Sequence, residues 1–588
     1  MLWAAFDFPR HPLAREDGER VRGAFYAPPS RWLRASAQAE LPAVIDAAHQ
    51  AAVAGAWVLG GLRYEAAAAF DAALAVHRSD QPLAEFAVYE SAPEPWPTEL
   101  SAAVLASDWR DDQASAESSA KIERIRDWIR AGDCYQVNLT TRLRAGLQAN
   151  VADLFLALHA SQPGGFSLFL REAGVASVSP ELFFDWRPVP EAQTSWLLAA
   201  QPMKGTAARG ADKVADDAAQ GHLRTSEKER AENLMIVDLL RSDISRVAKL
   251  GSVRVPRLFE LHALPTVWQM TSTITAVSRP HLRLSEVFAA LFPCGSVTGT
   301  PKVRATQIIR DLEPTPRGFY CGALGLIQPG GVATFNVPIR TVEQAGETLV
   351  CGIGSAITLD AEPAAELAEW RAKARFLARA QAPIAALETL RLEEGAYLRL
   401  DAHLARLQRT AQHFGLRFAM SKVRAVLAFC AAERPEGSWR VRLTVDAQGE
   451  IGLQHQPLTA TPEPVVLALA VTPVASDNEF LRHKTTRREV YQPFTEAKPL
   501  EAFDALLWNE AGELTECSFG NIALLIDGRW LTPHREAGLL PGVLREAMLT
   551  SGELREARLM VADLQRADGL AFLNCLRGIV PAVMHSTK

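Results

Sequence analysis

Apolar residues recur along this chain at two periods, near 3.6 and near 2, and the changes between them mark its elements. The first period predicts helices over 41–53, 121–130 and 303–312, and over a run that starts after Ser226. Strand-length apolar runs lie at 57–62, 86–89, 134–141, 319–327, 332–343 and 348–353, with a hairpin over 166–170 and 174–179. The first 115 residues are otherwise Ala-rich and weakly patterned, and a run rich in Asp, Ser and Ala over 107–119 reads as a linker. The best-marked helix start is Ser226, followed three residues later by Glu229, a capping box. On that helix Ala231, Leu234, Met235 and Asp238 are expected to share one face, and Glu229 and Glu232 another.

Composition shifts near 378–383, and a fresh pattern follows. A strand from 387 breaks at Glu394-Gly395, a helix carries His403 and Arg406, and strands recur at 439–445 and 465–471. Two hairpins are expected over 503–516 and 521–532, the second turning at Asp527-Gly528. The run Gly538 to Arg545 then enters a helix whose N-terminus could hold a phosphate. The organisation expected is an N-terminal part over 1–115, a catalytic domain over 116–380 and a separate domain over 387–588, with no internal repeat.

At 588 residues the chain is too long for one core, which agrees with that division. A composition 48% hydrophobic and 22% charged is that of a soluble globular protein. A net charge of -6 offers no basic footprint for nucleic acid. Seven cysteines without a C-x-x-C pair indicate neither a disulfide framework nor a structural zinc site. The start of the chain lacks a signal-like pattern and no run of 18 apolar residues occurs, so no membrane role and a cytoplasmic location are expected.

The candidate chemistry lies in a few places. Glu229 and Glu232 at i, i+3 repel unless a cation sits between them, although a solvated acidic face has the same spacing. Glu366 and Glu369 repeat that spacing, with Lys373 one turn on, just after Cys351-Gly-Ile-Gly-Ser355, where missing side chains would let backbone N–H groups approach an anion. Four carboxylates converging from two helices suit Mg2+, which in turn holds a substrate carboxylate. Lys204 sits where Gln201-Pro-Met-Lys-Gly-Thr206 passes from strand to loop, as a surface turn lysine also would. Arg340, inside an apolar strand, needs a structural or a ligand carboxylate. The Thr298 loop, Phe292 to Lys302, opens onto a helix N-terminus and is a candidate anion site.

Taken in order, SPELFF, PMKGT, ERAENLMIVDLLRSD, FPCGSVTGTPK, RGFYCGALGLI, FNVPIRT and GIGS with EPAAELAEW resemble the chorismate-utilising enzymes over roughly 115–378. Within that family the lysine of PMKGT is similar to aminodeoxychorismate synthase component I, and to isochorismate and salicylate synthases. Anthranilate synthases carry a small residue there. The resemblance implies a fold of large antiparallel β-sheets flanked by helices, and a Lys204 that attacks ring carbon 2 of chorismate as the 4-hydroxyl leaves, before ammonia adds at carbon 4 and expels it. That lysine must be partly unprotonated, which burial favours. Glu181 matches the glutamate proposed for acid–base work; Glu229, Glu232, Glu366 and Glu369 match the Mg2+ region; Thr298, Arg340, Gly352, Gly354 and Lys373 match the substrate contacts. The chain departs from the pattern at Gln269-Met-Thr-Ser-Thr273, where the family has His in an HLVST-like stretch. Glutamine is unable to shuttle a proton near neutral pH but can orient a departing hydroxyl.

From about 387 onward, His403-Leu-Ala-Arg406, His483-Lys-Thr-Thr-Arg-Arg488, Leu514-Thr-Glu-Cys-Ser-Phe-Gly-Asn521 and Leu540-Pro-Gly-Val-Leu-Arg545 resemble the fold-type IV pyridoxal-phosphate enzymes, an α+β family that includes aminodeoxychorismate lyase and branched-chain aminotransferases. The resemblance implies that Lys484 forms the Schiff base and moves the proton, that Glu516 pairs with the pyridine nitrogen, and that Arg406 with the backbone of Gly542 and Val543 holds the phosphate. Singly, Lys484 lies in a basic run and Glu516 could end a strand.

The two resemblances make consecutive steps: chorismate to 4-amino-4-deoxychorismate, then loss of pyruvate to give 4-aminobenzoate on the way to folate. Ammonia would come from a separate glutamine amidotransferase subunit, since no nucleophilic cysteine sits in a Gly-rich elbow here. The resemblance leaves room for a homodimer through the second domain. An isochorismate- or salicylate-type synthase fused to an aminotransferase, or a scaffold impaired by Gln269, are the rival expectations; product identity and turnover separate them.

Overall fold

Strands that are apolar at successive positions need cover on both faces, and the first of two units, Met1–Ala382, supplies it with two stacked sheets and helices on each outer side. The computed structural model describes every residue except 12, 14–18, 98–105, 107, 190–194, 210–212, 264–266 and 586–588. Among the described residues one sheet runs, in spatial order, Gly299–Thr300, Gln136–Gly146, Thr348–Ile357, Thr341–Ala345, Val175–Ser179, Phe166–Leu170, Ala4–Pro9 and Arg20–Phe25. The other runs Met203–Ala208, Val267–Val277, Trp196–Gln201, Leu182–Pro188, Ala333–Asn336, Ala323–Ile327, Trp57–Leu62, Ala84–Tyr89 and Arg31–Ala35. Phe6, Phe8, Leu59, Leu168 and Leu324 fill the space between the sheets. Alternate residues point the other way: Phe169 packs toward the helices Val151–Ser161 and Pro363–Ala380, and Val58 toward Leu41–Val53 and Glu227–Ser245.

Residues before 115 are therefore built into the same two sheets, with Ala4–Pro9 paired to Phe166–Leu170 and Trp57–Leu62 to Ala323–Ile327. The linker expected over 107–119 is shorter: Ser107 lies outside the described residues and Ser115 already begins the helix Ser115–Arg130. Ser226 caps its helix as read, its hydroxyl accepting from Glu229 N at 3.3 Å. The buried stripe of that helix, however, is Asn233, Ile236, Val237, Leu240 and Ile244, while Ala231, Leu234 and Asp238 are exposed. The strand expected over 332–343 is two strands in different sheets, Ala333–Asn336 and Thr341–Ala345. Between them Pro338 offers no N–H for a ladder and Arg340 takes φ 50°, so the chain crosses over there.

The second unit, Pro383–Lys588, has a small antiparallel sheet, Ala396–Tyr397, Ala386–Glu393, Ser438–Val445 and Ile451–Pro457, covered by Leu400–His413 and Met420–Ala432. A larger mixed sheet contains Asp504–Trp508, Leu514–Cys517, Asn521–Ile526 and Gly569–Asn574. The hairpin turn at Asp527-Gly528 has positive φ at both residues, 51° and 70°, as its sequence demands. No helix among the described residues is long and apolar enough to cross a membrane.

Candidate active sites

In the first unit, Met203–Ala208 bulges against Val267–Val277 between Met203 and Thr206, with Gly205 at φ 100°. The bulge sets Lys204 against the helix Glu227–Ser245, where its Nζ meets Glu232 Oε2 at 2.9 Å. Asn233 Nδ2 holds the Lys204 carbonyl at 3.1 Å and is itself fixed by Ser272 Oγ at 2.6 Å. Burial alone would push the Lys204 ammonium down, but Glu232, Glu369 and Glu229 outweigh it and its pKa is raised. The desolvation expected from sequence is present, and the surrounding carboxylates act against it.

Glu181 follows the strand Val175–Ser179, its N–H on Ser179 Oγ. Its buried carboxylate accepts from Ser296 Oγ at 2.6 Å. Burial drives it up to about 7, against the opposing pull of Ser296, the Met203 N–H, Lys204 and Lys373. Lys373 Nζ donates to Gly354 O at 2.9 Å and pairs with Glu369 at 2.8 Å. Glu366 is bonded by the Ser355 hydroxyl, which Trp370 Nε1 also reaches at 2.7 Å. Burial first, then mutual repulsion, raises both Glu229 and Glu366.

The four glutamates are thus within electrostatic range of one another, yet among the described residues no three Asp, Glu, His or Cys side chains stand ready as a ligand set. Glu232, Glu366 and Glu369 are each bonded within the protein instead. The donor chemistry nonetheless fits Mg2+: all-carboxylate oxygen, with Glu229 and Glu366 raised by burial and neighbouring glutamates, a repulsion that a cation would offset.

The remaining candidates divide. Arg340 has no side-chain hydrogen bond or ion pair among the described residues, and burial with Arg379 nearby lowers it to about 10, the state of a guanidinium awaiting an anion. Thr298 spends its hydroxyl on Cys294 O at 2.9 Å, in its own turn. Gly352 and Gly354 are glycine for packing: a Cβ would fall 2.3 Å from the Tyr320 ring at one and 2.2 Å from Leu139 O at the other. That is a packing reason beside the expected anion-binding one. Gln269 donates to Gly205 O at 2.9 Å and accepts from Thr206 Oγ1 at 3.1 Å, so its amide clamps the Lys204 bulge with one donor and one acceptor and keeps a second N–H. Ser296, Ser355 and Asn233 were not singled out from sequence; each acts through its neighbours, and polar residues of that kind carry no spacing signal.

In the second unit Lys484, Glu516, Arg406, Gly542 and Val543 line one pocket. Burial first, then Arg406 and Arg488, lowers Lys484 to about 8. Glu516 accepts from Tyr491 Oη at 2.8 Å, and burial raises it to about 8 despite that bond. A pyridinium N–H would give this carboxylate the counter-charge it lacks. The helix Val543–Ser551 starts at Gly542 with no side-chain cap, leaving N–H groups for a phosphate. A Cβ at Gly542 would fall 2.0 Å from Asn521 Oδ1. Arg406 is bidentate to Glu388 at 2.8 and 2.8 Å and donates to Pro541 O at 3.1 Å. A guanidinium has about five N–H groups, so some remain for an anion. The residues present fit pyridoxal phosphate. Glu388 and Tyr491 are the members sequence reading missed.

Each unit therefore carries a part-buried lysine among titratable partners, and in the second unit that lysine lines a pocket, as in enzymes. Residues 92–379 match the chorismate binding enzyme family and residues 385–583 match amino-transferase class IV, so the chain joins a chorismate-binding-enzyme domain to a class IV aminotransferase domain. The latter family depends on pyridoxal phosphate. Aminodeoxychorismate synthase component 1 of Klebsiella aerogenes is 42% identical over 267 residues, 45% of this chain and 58% of that protein. Anthranilate synthase component 1 of Streptomyces coelicolor is 35% identical over 272 residues, covering 46% of this chain and 52% of its own length. The chain spans somewhat more than half the length of such curated relatives, from 52% to 58% for these two. In fold, the crystal structure of anthranilate synthase component I from Streptococcus pneumoniae superposes with TM-score 0.50 at 21% identity, covering 64% of this chain and 90% of that one.

Proposed function

We propose that the chain makes 4-aminobenzoate from chorismate in two steps, amination in the first unit and pyruvate elimination in the second. The observation that carries this reading is a pair of part-buried lysines on one chain, Lys204 in a glutamate cluster beside Glu181 and Lys484 beside Glu516 and Arg406. The likeness to aminodeoxychorismate synthase component 1 of Klebsiella aerogenes supports the first step.

In the first step the Arg340 guanidinium binds a substrate carboxylate. Lys204 Nζ, its proton lost to solvent, bonds ring carbon 2 as the 4-hydroxyl leaves. Ammonia then bonds carbon 4, and the bond from Lys204 to carbon 2 breaks. Glu181, poised at about 7, has both acid and base forms populated at neutral pH for the departing hydroxyl and the entering amine. Mg2+, when held by Glu229, Glu232, Glu366 and Glu369, neutralises their charge and a substrate carboxylate together.

In the second step Lys484 holds and moves the proton at the substrate's amine-bearing carbon, at an amine that burial has made available near neutral pH. Glu516, fixed by Tyr491, pairs with the pyridine nitrogen; Arg406, Gly542 and Val543 hold the phosphate. Pyridoxal phosphate, when bound, supplies the electron sink. A glutamine amidotransferase subunit supplies ammonia, and the seven free thiols support a cytoplasmic location.

The test is product chromatography with the full chain, chorismate, an ammonium salt, Mg2+ and pyridoxal phosphate. Equimolar 4-aminobenzoate and pyruvate are expected, both lost in Lys204→Ala, with aminodeoxychorismate accumulating in Lys484→Ala. Isochorismate or salicylate as product, or untouched chorismate, would overturn the reading.

A further inference from the structure

Six of the seven cysteines are buried, and Cys575 alone is partly exposed, on the wall of the second unit's pocket. Behind it stands His403, 1% exposed, whose Nδ1 meets Glu388 Oε2 at 2.7 Å. Burial works against the Glu388 charge, but Arg406 and His403 hold the carboxyl down at about 2, so it is ionised and Nδ1 is the donor. That fixes the tautomer. The other ring nitrogen, Nε2, is buried with no hydrogen-bond partner among the described residues, and His403 and Cys575 line the same pocket. A carboxylate-held imidazole and a thiol thus share one pocket wall, the parts of an activated-nucleophile site.

We propose that Cys575 is a modification site: a thiol activated through Glu388 and His403 that small soft electrophiles, such as alkyl halides or low-mass disulfides, enter the pocket to modify. In alkylation the thiol proton goes to His403 Nε2, the sulfur forms a bond to carbon, and the carbon–halogen bond breaks with the halide taking the electron pair. With a low-mass disulfide the sulfur attacks one disulfide sulfur, and the other leaves as a thiolate. The charged groups facing Cys575 act in the same sense. Burial opposes the thiolate, but His403 and Arg399 together lower the thiol, and Arg406 is a further cation beside it. Cys294 and Cys321, by contrast, are pushed up to about 12 by burial. An adduct on Cys575 would occupy the pocket that Lys484, Arg406 and Gly542 line. Modification and cofactor occupancy therefore exclude one another, a consequence that rests on the cofactor reading above.

The experiment is iodoacetamide labelling of the full chain, freed of cofactor, read by peptide mass spectrometry at pH 7 and 9. At pH 7 Cys575 is expected to label at least about tenfold faster than any other cysteine. His403→Gln is expected to remove that advantage at pH 7 and to approach the wild-type rate at pH 9, where bulk solvent takes the proton. Labelling of Cys575 at the rate of an ordinary thiol peptide in the wild type overturns the proposal whether or not the variant folds. So does a pH 7 rate unchanged in folded His403→Gln. Saturating pyridoxal phosphate is expected to slow the reaction about tenfold. If the cofactor gives no absorbance of a bound form, the pocket reading fails while the labelling rate still decides the thiol; if it binds without protecting Cys575, mutual exclusion fails.

Discussion

Glu388 offers a perturbation whose size follows from the structure by two routes. Its carboxylate is fully buried in the strand Ala386–Glu393 and accepts from Arg406 Nε, Arg406 Nη2 and His403 Nδ1 at 2.8, 2.8 and 2.7 Å. Glu388→Gln keeps the volume and removes the charge, leaving a buried guanidinium without its counter-ion. Breaking one side of a buried pair costs about 3–5 kcal/mol. Independently, the carboxyl is held at about 2 against an ordinary 4.5, and at about 1.4 kcal/mol per pH unit that difference is worth about 3 kcal/mol. The folded value is the depressed one, so this stability is fully present above about pH 4.5 and is lost as pH falls toward 2. Hydrogen exchange isolates the unit without separating it from the chain: amides of Ala386–Glu393 and Leu400–His413 should exchange about a hundredfold faster at pH 7 in the variant. The gap should narrow as pH drops below 4.5. An increase of less than about fivefold, under about 1 kcal/mol, would mean that the ion pair contributes little and that its desolvation has cancelled its attraction.

Three further outcomes concern the first unit. Ser296→Ala removes a hydrogen bond that holds Glu181 down, so the ionisation controlling chorismate consumption should move up by about one pH unit, read from the pH–rate profile; an unmoved profile would detach Glu181 from the chemistry. Arg340→Gln should leave hydrogen-exchange protection of the first unit unchanged, because the guanidinium bonds no described protein group, while raising KM for chorismate about tenfold or more; unchanged KM refutes its role. Gly352→Ala drives a methyl to 2.3 Å from the buried Tyr320 ring and should lower the thermal unfolding midpoint, with a cost near 3 kcal/mol; an unchanged midpoint would show the sheet yields there.

Local signals were readable in the sequence and nonlocal ones were not. Ser226 with Glu229, and Asp527 with Gly528, each encode their structure within four residues, and both formed as expected. The ordered motifs carried both families. Within the N-terminal 115 residues the strand Ala4–Pro9 pairs with both Arg20–Phe25 and the distant Phe166–Leu170, with no tight turn to mark it. Arg340 looked like a strand residue because its flanks are apolar; those flanks belong to two different sheets. Glu388 carries no local signal of its burial, since its partners lie 15 and 18 residues on, on a helix. Sequence also names a lysine without naming the field around it. For Lys204 that field acts against the expected desolvation.

The two lysines show why, and they lead to a last test. Both are buried deeply enough that desolvation is the largest influence on each, and it acts downward on both. Around Lys204 the next influences are Glu232, Glu369 and Glu229; around Lys484 the next is Arg406, so one amine is raised and the other lowered to about 8. The same pocket leaves Glu516 at about 8, well above an ordinary carboxyl, so folding the cofactor-free chain binds a proton there and stability falls as pH rises from about 4.5 through about 8. Glu516→Gln removes that titration while preserving an acceptor for Tyr491 Oη. Freed of cofactor, the variant should therefore gain on the wild type as pH rises from 5.5 to 8, by more than about 1 kcal/mol, measured by hydrogen exchange in Leu514–Cys517. With pyridoxal phosphate bound the order should reverse, because only the carboxylate gives the pyridine nitrogen a counter-charge. Parallel pH dependence of the two cofactor-free proteins would show that Glu516 is already ionised, and that the pocket supplies the carboxylate with a cation of its own.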